Sequence, residues 1–115
     1  ATPPDVPADA SVALPSDAAL VARVARGDHE AFGLLYDRFG ALAYGLARAI
    51  VREPADAEDV VAEAFAQLWR TAVRGDPERG SVAAWVTTVT RTRALDHLRA
   101  ARRRAQAVER AADPD

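Results

Sequence analysis

Apolar residues recur every three to four positions over most of the chain, and no strand pattern competes with them. Ser16 before Asp17 reads as a helix N-cap, after which Leu20, Val21, Val24 and Ala25 line one side of a short helix that stops at Gly27. Asp28 caps a second helix with Phe32, Leu35, Tyr36 and Phe39 at helical spacing. Gly40 is expected to bend its path before Leu42, Ala43, Leu46, Ile50 and Val51 carry the stripe to about Arg52. Pro54 suits the first position of a third helix, where Ala57, Val60, Val61, Ala64, Phe65, Leu68 and Trp69 follow the i, i+3, i+4, i+7 pattern without exception. The run RGDPERGS reads as a loop, and Gly80 or Ser81 opens the last helix. There Val82, Trp85, Val86, Val89, Leu95 and Leu98 are expected to face inward, with Thr92 filling the gap. The fold class that follows is all-α, a compact bundle of four to five helices.

Composition narrows this reading. A chain of 115 residues has room for one domain. The apolar content is mostly Ala and Val, with seven aromatics, which favours closely packed helices over sheets. Residues 1–15, rich in proline, small residues and acids, read as a flexible arm, residues 16–106 as the helical domain and residues 107–115 as the start of a linker. No apolar run is long enough to span a bilayer, and no secretory layout opens the chain, so the expected location is cytoplasmic with no membrane insertion.

Charge changes the picture more. Residues 91–110 carry seven Arg against Asp96 and Glu109, or +5, whereas residues 1–90 carry eight Arg against thirteen acids, or −5. The total of −2 hides this polarity. Residues 80–104, GSVAAWVTTVTRTRALDHLRAARRR, begin as an apolar helix face and end as a ladder of arginines. Such a stripe with an aromatic a few turns earlier fits nucleic-acid binding, while the plain alternative is a solvated face. All fifteen basic residues are Arg, whose guanidinium binds phosphate bidentately and stacks on bases. Arg91, Arg93, Arg99, Arg102, Arg103 and Arg104 cannot all share one face, so the helix either lies along a backbone or protrudes past the core.

Catalytic chemistry finds little support. His29 and His97 are isolated and there is no cysteine, so no metal site and no cofactor is expected. GDPERGS lacks the spacing of a phosphate-binding loop. Asp56, Glu58, Asp59 and Glu63 open a helix, where the dipole favours carboxylates. Asp59 and Glu63, with Ala62 and Ala66 between them, also make a flat acidic patch suited to a partner carrying Arg or Lys. Trp85 is core by spacing, or a platform for unstacked bases by its place beside the basic track, or both. Thr87, Thr88, Thr90 and Thr92 add hydroxyls that either meet phosphate or simply face solvent.

Four blocks in order, VARVARGDHEAFGLLYDRF, PADAEDVVAEAFAQLWR, GDPERGS and the arginine segment, give the chain a resemblance to domain two of a bacterial sigma factor of the extracytoplasmic-function group. The resemblance implies the sigma region 2 fold and a transcription initiation factor, not an enzyme. It implies docking on the beta-prime clamp helices of core RNA polymerase and capture of single-stranded non-template DNA from the promoter minus-ten element. An anti-sigma factor is a further partner it implies. On this chain the docking positions are Glu58, Asp59, Ala62, Glu63, Ala66 and Gln67. The DNA positions are Trp85, Thr88, Arg91, Thr92, Arg93, Asp96, His97, Arg99, Arg102 and Arg103, with Asp76 and Arg79 in the loop near a flipped base. The chain departs from the family in having Ala62 where Gln is frequent and Thr92 where Asn is common. The family's helix-turn-helix domain for the minus-thirty-five element has no counterpart in these residues, which suggests an excised domain or a single-domain variant. The rival reading is a helical protein-interaction module that binds an acidic or anti-sigma partner without touching DNA.

Overall fold

A computed structural model describes residues 14–74 and 80–112. Their order is α1 (Asp17–Ala25), α2 (His29–Val51), α3 (Pro54–Val73) and α4 (Val82–Ala112), with no strand among the described residues, so the all-α class holds. The expected caps form. The Ser16 hydroxyl accepts from the Ala19 amide at 3.0 Å, the Asp28 carboxylate from the Ala31 amide at 3.1 Å, and the Ser81 hydroxyl from the Ala84 amide at 3.0 Å. At the end of α1, Gly27 takes φ 85 while its amide donates to the Val24 carbonyl and that of Asp28 donates to the Arg23 carbonyl. This paired closure satisfies orphan carbonyls and needs a residue at ease with positive φ.

The turn from α2 to α3 has no glycine. Arg52 adopts φ 68, ψ −42, and the Glu53 amide donates to the Val51 carbonyl at 2.7 Å, so the chain reverses in three residues at a cost in backbone strain. Arg48 steadies the turn by donating from Nε to the Arg52 carbonyl at 3.0 Å. Pro54 then starts α3, as expected.

All three longer helices pack on one another, and α1 lies against α2 and α3. On α3 the buried residues include Ala57, Val60, Val61, Ala64, Phe65 and Leu68, as the periodicity requires. On α2 they are instead Ala31, Leu35, Ala43 and Ala47, while Tyr36 and Leu42 are exposed. A seam of small residues lets neighbouring backbones approach closely, and the bulky residues flank it. Helix α2 runs unbroken through Gly40, whose position lies against the Tyr36 ring.

The inward face of α4 also departs from expectation. Trp85, Val86, Val89, Thr90 and Ala94 are buried, whereas Leu95 and Leu98 are half-buried and Thr92 is exposed. Thr90, not Thr92, fills the gap, and its hydroxyl has no hydrogen-bond partner. Residues 101–112 are exposed throughout and continue the helix to Ala112. At 1.5 Å per residue α4 is about 46 Å long, so its arginine half projects beyond the core.

Candidate nucleic-acid and partner interface

Position along α4 sorts the arginines into two sets. At about 100° per residue, Thr88, Arg91, Thr92, Asp96, Arg99, Arg102 and Arg103 fall within one arc of about 140°. All seven are exposed. The Thr92 hydroxyl is occupied, donating to the Thr88 carbonyl at 3.0 Å, and Arg99 donates to Asp96 at 3.2 Å. That ion pair is largely in water, so it restrains Arg99 little. Among the residues assigned to DNA, the row therefore offers four guanidinium groups along one side of a projecting helix, and Arg110, two turns beyond Arg103, shares the arc.

Arg93 and His97 lie outside this arc and turn toward α3. Arg93 donates from Nε to the Gln67 side-chain oxygen at 2.9 Å and has a second nitrogen 3.9 Å from Glu63. His97 Nε2 lies 3.1 and 3.0 Å from the two Glu63 oxygens. Two residues expected to face polymerase thus bind two residues expected to face DNA. The side chains of Glu63, Arg93 and His97 are between a quarter and half exposed, so solvent screens this network only in part.

The flat acidic patch is consequently divided. Glu58, Asp59, Ala62 and Ala66 are exposed, and Asp59 forms no ion pair among the described residues, whereas Glu63 and Gln67 are half-buried against α4. Ala62 and Ala66 border a shallow groove that the sequence reading missed, lined also by His29, Phe32, Tyr36, Phe65, Trp69 and Arg70. His29 stacks on Trp69 with centroids 4.5 Å apart and planes within 13°, and Phe32 meets the Trp69 edge at 5.2 Å. A larger side chain at position 62 would crowd this groove, so the departure to Ala keeps it open. The signal for it is the spacing of His29, Phe32 and Tyr36 on one helix face, which needs no second histidine.

Trp85 takes the core position. It is 6% exposed and lines a small apolar cavity with Val24, Leu35 and Leu68, so its ring offers no open face to a base. Asp76 and Arg79 lie outside the described residues. Among the described residues, no group of three or more His, Asp or Glu could hold a metal ion, and no helix is long and apolar enough to cross a membrane.

Residues 35–104 fit the family model for Sigma-70 region 2, and the chain belongs to that family. Among curated proteins it is similar to the ECF RNA polymerase sigma factor SigK of Mycolicibacterium vanbaalenii, 38% identical over 81 residues, or 70% of this chain and 41% of that protein. The SigK proteins of Mycobacterium ulcerans and Mycobacterium tuberculosis are 37% identical over 82 residues and 36% over 81, covering 71% and 70% of this chain and 44% and 43% of those proteins. The chain thus spans about two fifths of the length of these relatives.

Proposed function

We infer that this chain acts in transcription initiation, docking on core RNA polymerase through the exposed side of α3 and holding single-stranded non-template DNA of the minus-ten element along α4. The observation that carries the DNA half is the row Arg91, Arg99, Arg102 and Arg103, exposed beside Thr88 and Thr92 on one side of a projecting helix. Such a row neutralises successive phosphates, and the polymerase supplies the remaining affinity and a channel for the opened strand. Extruding a base costs a few kcal/mol, and each stacked base returns about 1–3 kcal/mol, so capture of one or two bases traps a thermally opened duplex without ATP or a catalytic residue. With Trp85 in the core, the stacking surface must come from elsewhere; the family resemblance puts the loop Gly75 to Gly80 close to the flipped base.

The docking half rests on Asp59, Glu58 and the neighbouring aromatic groove, which together suit a partner helix carrying both cations and apolar side chains. The same face suits an anti-sigma protein, which would then compete with polymerase. Co-purification with core polymerase tests the assignment. Asp59→Arg, which reverses an exposed charge without touching the core, is expected to lower retention several-fold. Retention equal to that of the unaltered chain would remove α3 as the docking surface.

A further inference from the structure

Glu63 sits where two functions meet. It projects from the helix assigned to polymerase, yet its carboxylate holds His97 through both oxygens and lies 3.9 Å from Arg93, while Gln67 one turn on takes Arg93 Nε at 2.9 Å. Neither side chain belongs to the open arginine row. A carboxylate that pairs with a cation from a partner cannot keep its full interaction with these two, because the oxygens and the charge are shared. The contacts are partly solvated, so exchange is cheap enough to be reversible.

We propose that Glu63 masks Arg93 and His97 in the free chain, and that a cationic side chain of the docking partner displaces them and releases both toward the nucleic-acid backbone. The proposal rests on the reading that α4 binds DNA. Docking and DNA capture are then coupled through one carboxylate, and the coupling is reciprocal: DNA that draws Arg93 away leaves Glu63 free for the partner. The Asp96–Arg99 pair has no such role, since it joins two exposed residues of one helix and involves no docking position.

The test uses this chain and a fluorescein-labelled oligothymidylate, with anisotropy measured across a salt series. Glu63→Gln keeps the size and shape of the side chain while removing its charge and exchanging one acceptor oxygen for a donor amide. It is expected to tighten binding about two- to fivefold, from the strength of a partly exposed ion pair, and to steepen the log–log salt slope by about 0.7, one further phosphate neutralised on a single strand. Asp59→Asn removes the same charge one turn away, and is expected to change affinity less than about twofold because Asp59 holds no cation among the described residues. Adding Arg93→Gln to Glu63→Gln should abolish the gain. Equal gains from Glu63→Gln and Asp59→Asn would overturn the mask in favour of overall charge, and weaker binding by Glu63→Gln would show that Glu63 positions the cations for DNA. Binding by the unaltered chain with no gain in Glu63→Gln removes the mask alone, whereas no binding by any variant at low salt removes the DNA reading as well.

Discussion

Replacing Thr90 with Val should make this protein more stable, although Thr90 is a fully buried residue at the centre of the bundle. The two side chains have nearly the same volume and shape, so the swap opens no cavity and exchanges only a hydroxyl for a methyl. Helix propensity is also nearly matched. What changes is the Oγ1 atom, which has no hydrogen-bond partner. A buried polar group left unsatisfied costs about 1–3 kcal/mol. Removing it should raise stability by at least about 1 kcal/mol, and the methyl adds apolar contact with its neighbours. For a domain of roughly a hundred residues, 1 kcal/mol corresponds to about 4–8 °C in Tm. Thermal unfolding followed by circular dichroism, with urea unfolding as a second measure, reads the effect. Thr92→Val serves as the control, since that hydroxyl is exposed and bonded to the Thr88 carbonyl, and its change should stay within about 0.5 kcal/mol. A Tm for Thr90→Val equal to or below that of the unaltered chain would refute the reasoning, because it would mean the hydroxyl is satisfied within the fold.

Two further predictions concern turns. Arg52→Gly should raise stability by about 1 kcal/mol, since φ 68 strains any side-chain-bearing residue, while the carbonyl that Arg48 binds is unaffected; urea unfolding with an unchanged m-value checks it. Asp28 has its carboxyl held below the usual range, chiefly by the Ala31 amide and then by Arg23. A group with a depressed folded pKa stabilises above its unfolded value, about 3.9, and that stability is lost as pH falls through the lower folded value. Asp28→Asn keeps the cap but not the titration, so the fall of its Tm between neutral and acidic pH should be smaller than that of the unaltered chain.

The parts of the fold legible in the sequence are those set by local chemistry. Ser16, Asp28, Gly27 and Pro54 mark helix ends because each satisfies or removes specific backbone groups, and they do so here. Helix α3 was legible because its apolar arc is narrow and unbroken. Helix α2 was less so, since a wide arc admits two inward directions, and the choice of Ala43 and Ala47 over Leu42 depends on how closely α3 and α4 approach. The same ambiguity placed Thr92 inward in place of Thr90: Leu95 and Leu98 drew the face toward them, but the core ends at Ala94. At the candidate site, the open arginine row follows from helical spacing alone. The Glu63–His97 contact does not, because it joins residues 34 apart in sequence and depends on the register of two helices.

The salt dependence of binding to single-stranded DNA tests the central claim most directly. Four exposed arginines, each meeting one phosphate, predict a slope of log affinity against log salt near −3 (about −0.7 for each contact). Replacing Arg99 and Arg103 with Gln together should reduce that slope by about half. A slope indistinguishable from zero, or one unchanged by the double replacement, would contradict the assignment of α4 to DNA.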